Sequence, residues 1–375
     1  MTTDILIIGA GIAGVTAAYF LAPKHRVVIL EREPQPGYHT SGRSAAQFAE
    51  AFGSPIVRAL ARASRGFFER PPPGFADHPL LTPRASLVVA RAGQEAELVA
   101  EQVACAAIGI VTDLVDEAGA RRLFPPLARG LYSAGLSEPG AGDLDVDALL
   151  QGYLRGARAA GVRLVTDAEV TALERRAGQW HARTRAGDFA APVVIDAAGA
   201  WADAIARLAG ARPLGLVPKR RTALVFAAPA DTGDTSAWAH TGDADETWYV
   251  KPQRGAFMGS LSDATPDEPR DAWPDDLDVA QAVANIEAAT NLRVGRPIRS
   301  WAGLRSFVPD GTPVAGFAAD AEGLFWLAGL GGVGMLTSPA MGHAVAGLIA
   351  VGDVPAELYA FGVTAATLSP ARPGL

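Results

Sequence analysis

A short apolar strand, a glycine turn, an Ala-rich helix and a second apolar strand follow one another at the start of the chain, as Asp4 to Ile8, Gly9 to Ala22 and Arg26 to Glu31. The order predicts a β–α–β unit with parallel strands. Gly9, Gly11 and Gly14 form G-x-G-x-x-G, and each glycine has its own task. The first permits a tight turn, the second lets a pyrophosphate approach the backbone near Ala13, and the third lets helix and strand pack closely. An anion there sits on a helix N-terminus, where free N–H groups and the macrodipole favour negative charge. Glu31, seventeen residues past Gly14, is placed to accept hydrogen bonds from a ribose diol. Spacing leaves both FAD and NAD open. The acid argues against a phosphorylated ribose, while the adjacent Arg32 keeps that alternative open.

The remaining composition narrows the function classes. A chain of 375 residues that is 49% hydrophobic buries a sizeable core and has room for two or three domains. Its net charge of -7 argues against a nucleic-acid partner. Cys105 is the only cysteine and the six histidines show no ligand spacing, so neither internal disulfides nor a metal site is expected. The N-terminus carries no targeting signal, and the most apolar run, Leu324 to Leu336, is broken by four glycines. A soluble, cytoplasmic protein without stable membrane insertion is expected.

The nucleotide-domain pattern resumes twice. Val146 to Ala160 reads as helix, Arg163 to Thr166 as extended and Val193 to Ala197 as a buried strand before a helix at Trp201 to Leu208. Later, Leu324 to Ala328 reads as a strand, Gly329 to Gly334 as a turn, and a helix begins at about Ser338. Between these instalments lie alternating segments such as Ser86 to Val89, Thr222 to Phe226 and Thr247 to Val250. The expected fold is mixed α/β. A Rossmann-like domain (1–45, 141–215 and 301–375) is interleaved with a substrate domain on an antiparallel sheet (46–140 and 216–300).

Ser41-Gly42-Arg43-Ser44-Ala45-Ala46 and Val193-Val194-Ile195-Asp196-Ala197-Ala198-Gly199-Ala200-Trp201 resemble the flavin-facing segments of the D-amino-acid oxidase, glycine oxidase and sarcosine oxidase superfamily. Closer similarity is to bacterial D-arginine dehydrogenases. It is carried by Leu30-Glu31-Arg32-Glu33, Pro36-Gly37-Tyr38-His39, Gly152-Tyr153-Leu154-Arg155-Gly156, Pro218-Lys219-Arg220-Arg221 and Trp301-Ala302-Gly303-Leu304-Arg305-Ser306-Phe307. The resemblance implies noncovalent FAD held by Gly9, Gly11, Ala13, Gly14, Glu31, Arg32, Gly42 to Ala46, Val170, Ala198, Gly199, Trp201, Gly303, Gly331, Gly332 and Gly334 to Thr337. It also implies oxidative deamination of a D-amino acid. Hydride passes from Cα to flavin N5, and the resulting imine hydrolyses to a 2-oxo acid and ammonia.

Such chemistry needs a carboxylate clamp, which the planar arginine fork supplies. By resemblance Arg305 is that clamp, with Arg221 as a second contact and Tyr249 hydrogen-bonding substrate. Strand alternation sends Arg220 and Arg221 to opposite faces, so at most one points at ligand. The alternative for Arg305 is a structural ion pair; for Arg221, a solvated basic cluster.

Gly332, Val333 and Glu50 complete the expected pocket with three positions at which substrate-facing residues of the D-arginine enzymes differ. Ser86 stands where those enzymes carry a guanidinium-binding glutamate, and Gln47 and Phe52 where they carry histidine and tyrosine. Glu50 is the nearby acid that could restore cation binding. Without the glutamate, neutral D-amino acids, apolar or aromatic, are expected over D-arginine. No lysine sits in a flavin-facing motif, which favours a quinone-like acceptor over oxygen. The alternatives are an oxygen-using oxidase of glycine, sarcosine or another secondary amine, and a non-catalytic FAD-binding module.

Overall fold

The structure, a computed structural model, describes residues 3–229 and 232–375. A six-stranded sheet runs in the order Val314–Phe317, Leu324–Ala328, Val193–Asp196, Ile5–Ile8, Val27–Leu30, Arg163–Val165. All its pairings are parallel except that of the edge strand Val314–Phe317. The strands are continuous apolar runs because both faces are covered. Ile5 and Ile7 pack beneath the helices Ile12–Leu21, Val146–Ala159 and Gly334–Val351. Leu6 and Ile8 face a second core beneath the three-stranded meander at 172–191 and the helix Ala202–Leu208.

A nine-stranded sheet gathers strands from two distant stretches, 86–138 and 217–307. It is antiparallel with one exception: His240–Asp243 lies parallel to Ser86–Val89. That crossover joins the two stretches into one surface. The strand Arg299–Phe307 pairs with Val217–Ala227 over nine residues. The domain boundary expected at 301 therefore falls inside a strand of this sheet, because ladder hydrogen bonds and not chain order decide where the strand belongs.

Two element limits differ from expectation. The last long helix begins at Gly334, not Ser338, and contains Pro339. Met335 O, left without its helical donor because Pro339 has no N–H, accepts from the Ser338 hydroxyl at 3.0 Å, so the turn tolerates the ring. The expected strand at Thr247 starts at Tyr249. The N–H groups of Thr247 and Trp248 instead bond the Asp243 carboxylate, closing a turn.

The helix Gly334–Val351 is long and apolar enough to cross a membrane by length and composition, but 67% of it is buried inside the fold. Its apolarity is that of a core helix. It packs on Ile12–Leu21 at Gly342, where a Cβ would meet Phe20 Cδ2 at 2.2 Å and Thr16 Cγ2 at 2.6 Å. Gly342→Ala should therefore destabilise the protein by about 1–3 kcal/mol. Thermal unfolding would show this as a lowered midpoint.

Candidate functional site

A cavity of about 410 Å³ lies between the C-terminal ends of the parallel strands and one face of the nine-stranded sheet. Two helix N-termini open on it. Ile12–Leu21 and Gly334–Val351 both lack a side-chain cap and an acid in the first turn. They meet at their starts, where a Cβ on Gly334 would stand 3.0 Å from Ile12 Cγ2. Two uncapped ends on one cavity give its wall a positive potential without any charged side chain.

The three glycines of the first turn divide the work as the motif implies. A Cβ on Gly9 would lie 2.5 Å from Ala197 O, and one on Gly14 would lie 1.9 Å from Gly9 O. Both are close backbone approaches inside the protein. At Gly11 only Ser41 Oγ is near, at 3.3 Å, and this glycine lines the cavity with Ala13. Ser41 Oγ in turn accepts the Ile12 N–H at 2.8 Å.

Cross-strand partners share a sheet face. Arg221 stands opposite Gly303, and Lys219 opposite Arg305, so Arg221 and Arg305 emerge on the face toward the cavity. Arg220 emerges on the other face, where it pairs with Asp278 at 2.7 Å. No carboxylate comes within salt-bridge distance of Arg305 or Arg221 among the described residues. Arg305 Nε donates to Gly331 O at 3.2 Å, and Arg221 Nε donates to Asp263 O at 2.6 Å. Burial, and next the charge of Arg221, pull the Arg305 pKa down to about 10. Two cations facing one cavity with no carboxylate in contact, Glu246 and Asp263 acting on Arg305 only from farther off, make a site for an anion.

Room for Arg305 depends on the glycine loop above it. Gly332 has φ +88, and a Cβ there would overlap Arg305 Nε at 2.2 Å. The same loop carries Gly331 and Val333 to the cavity, followed by Gly334, Met335 and Leu336. Thr337 turns inward and donates its hydroxyl to Val333 O.

Tyr249, Gln47, Phe52 and Ser86 line the cavity, as do Arg43, Ser44, Ala45, Ala46, Gly199 and Gly303. The Arg43 head group turns away, donating to the carbonyls of Ala272 and Ala302 and pairing with Asp271. Gly9, Gly14, Glu31, Arg32, Gly42, Val170, Ala198 and Trp201 lie outside the cavity wall. Glu31 is buried beyond the first turn, where its oxygens accept the N–H groups of Ala10 and Glu33 at 2.6 and 2.9 Å. Val170 is buried in the core under that strand end, and the Arg32 guanidinium lies over the Trp201 ring at 4.9 Å.

Glu50 does not join the cavity. It is buried and pairs with Arg65 at 2.6 Å on the wall of a second cavity. Its side chain is spent on that ion pair, which removes it as a counter-charge for a cationic ligand. Cys105 is also remote and buried, its thiol pushed up to about 11 by burial.

Three ionisable wall residues escaped the sequence reading: His240, Asp243 and Glu246. His240 is buried, and its ring lies 5.2 Å from that of Tyr249. Glu246, at positive φ in the turn before Tyr249, presents an exposed carboxylate. Strand register would have flagged His240, which pairs with Ser86. That pairing is parallel and joins distant stretches, so no local pattern announces it.

The family model of the FAD dependent oxidoreductases (DAO) matches residues 4–348. Glycine oxidase of Geobacillus kaustophilus (strain HTA426) is 27% identical over 379 residues, covering 96% of each chain. D-amino acid dehydrogenase of Rhizobium johnstonii is 24% identical over 412 residues, covering 93% of this chain and 96% of its own. The crystal structure of the Geobacillus glycine oxidase superposes with a TM-score of 0.79 at 25% identity, covering 93% of this chain and 94% of that one. L-alpha-glycerophosphate oxidase from Mycoplasma pneumoniae, solved with FAD bound, shares the fold with a TM-score of 0.83 at 20% identity over 93% of this chain and 95% of its own. The glycine turn, the paired helix N-termini and a match spanning nearly the whole chain agree: the protein belongs to the DAO family of FAD dependent oxidoreductases, as an FAD-dependent amine or amino-acid oxidoreductase.

Proposed function

We propose that this oxidoreductase is a D-amino-acid dehydrogenase acting on D-amino acids with uncharged side chains. The observation that carries the reading is the pair Arg305 and Arg221, which face the cavity with no carboxylate partner among the described residues. The α-carboxylate of an amino acid is the anion that fits, held by charge-assisted hydrogen bonds in one orientation. Similarity to the Rhizobium D-amino acid dehydrogenase supports the substrate class.

The residues present fit FAD. At Gly11 a Cβ would point into the space beside Ser41, and the two uncapped helix N-termini suit a pyrophosphate and an electron-rich ring edge. Glu31 has lone pairs left for a ribose after its two backbone bonds. When bound, FAD supplies the two-electron acceptor for the hydride that leaves Cα. The protein supplies orientation. Arg305 and Arg221 fix the carboxylate, the Tyr249 hydroxyl offers a hydrogen bond to it, and the loop Gly329 to Val333 lines the cavity beside Arg305. The amine reacts in its neutral form, and the two guanidiniums disfavour a third positive charge beside them. The imine is then hydrolysed by water to a 2-oxo acid and ammonia.

Ser86 replaces an acid at the side-chain end of the cavity, and Glu50 is engaged by Arg65, which supports uncharged side chains over D-arginine. For the electron acceptor we favour a quinone-like molecule over oxygen. Lys251 is held by Asp143 at 3.3 Å, and Lys219 lies over the Phe307 ring. An oxidase of glycine or sarcosine is the second reading, favoured by the 27% identity to glycine oxidase.

Adding D-amino acids, L-amino acids and N-methyl amino acids anaerobically to the flavin-loaded protein separates these readings. Bleaching by uncharged D-isomers is expected, with D-arginine weaker. Bleaching by glycine and sarcosine alone, with peroxide released under air, favours the second reading.

Replacing Arg305 by methionine should lower kcat/KM for a D-amino acid by roughly a hundredfold or more while the flavin stays bound. Steady-state kinetics together with a flavin spectrum check it. Gly11→Val should give a folded protein that loses FAD, because its side chain enters the cavity and not the core; a near-native melting curve with an absent flavin absorbance is the expected pair of results.

A further inference from the structure

The cavity's side-chain end has a chemistry of its own. His240 and Ser86 are direct partners in the parallel pairing, and so share a sheet face on the cavity. His240 is 7% exposed, and its Nδ1 is sealed in the wall without a hydrogen-bond partner. The ring therefore reaches a ligand through Nε2.

Behind it lie Lys251 and Arg84, which share Asp143 at 3.3 and 2.6 Å. Burial, then Lys251 and Arg84, pull the His240 pKa down to about 3, so the imidazole is neutral at physiological pH. Of the acids nearby, Asp243 on the same strand is taken up by the Thr247 and Trp248 N–H groups and the Thr247 hydroxyl, and Glu138 stands opposite Ser86 on its other flanking strand. Its oxygens accept the N–H groups of Glu50 and Ala51, and it faces the second cavity.

We propose that His240 and Ser86 form a donor pair that receives the end of the substrate side chain and selects an uncharged acceptor oxygen, as in an amide, over both a cation and a plain alkyl end. This narrows the uncharged class and rests on the D-amino-acid reading above. The two cations behind the ring favour a lone pair on the sealed Nδ1, which leaves the N–H on Nε2, toward the cavity. The Ser86 hydroxyl supplies the second donor. A guanidinium brought to the same place finds two donors with cations behind them, while the one exposed carboxylate on the wall, Glu246, stands where it acts on Arg305. An alkyl end leaves both donors unpaired, which costs more than a missed contact.

The test compares kcat/KM for D-glutamine, D-norleucine and D-arginine in the flavin-loaded protein and in the variants H240F, H240Q and S86E. The unmodified protein should prefer D-glutamine to D-norleucine by about tenfold, a preference that H240F abolishes and H240Q, which keeps an N–H donor, largely retains. S86E should raise activity on D-arginine and lower it on D-glutamine. Equal use of D-glutamine and D-norleucine by the unmodified protein, or an unchanged ratio in H240F, would overturn the proposal. If H240F fails to fold or bind flavin, S86E still decides, because no gain on D-arginine counts against a site at this position. Failure of the D-amino-acid reading itself looks different: the unmodified protein then turns over none of the three.

Discussion

Close packing of the helices Ile12–Leu21 and Gly334–Val351 is the contact on which the site depends. The first helix belongs to the N-terminal β–α–β unit and the second follows the last parallel strand, so their meeting brings the two ends of the chain together. Gly342 and Gly334 permit the approach, since a side chain at either would strike Phe20, Thr16 or Ile12. Both N-termini are then aimed at one cavity. Without that alignment the glycine turn could grip a pyrophosphate, but the rest of a long cofactor would lack a second positive edge to lie against.

Charge placement follows from the second sheet. The register between Val217–Ala227 and Arg299–Phe307 sends Arg221 and Arg305 inward while Arg220 finds Asp278 on the other side. Arg305 is a costly residue to bury without an acid in contact, and among the described residues its direct partners are Gly331 O and the Phe307 ring, with Glu246 and Asp263 acting from farther off. Such a deficit is sustained where a ligand completes the pairing. The same sheet places His240 beside Ser86, at the end remote from this cationic pair in strand order, which is the separation that the proposed carboxylate clamp and side-chain pocket require.

Much of this was legible beforehand. The first β–α–β unit and the later strands Val193–Asp196 and Leu324–Ala328 follow from local periodicity and glycine spacing, and strand alternation shows that at most one of Arg220 and Arg221 faces inward, although which one needed the register with Arg299–Phe307. What escaped was long-range. The parallel pairing of His240–Asp243 with Ser86–Val89 has no local signature, so His240 could not be assigned to the cavity. Glu50 lies three residues from Gln47 yet points to another cavity, because Arg65 from the helix Pro55–Glu69 claims it. The start of the helix at Gly334 was obscured by its glycines, which are there for packing and not for a turn.

Whether Arg305 and Arg221 hold a substrate carboxylate is tested most directly by removing that charge from the substrate. D-leucine and D-leucinamide share the amine, the Cα–H and the side chain, and differ in the carboxylate. Added anaerobically to the flavin-loaded protein, D-leucine should bleach the flavin and D-leucinamide should leave it oxidised over the same period. Equal rates of bleaching would contradict a carboxylate clamp at these arginines.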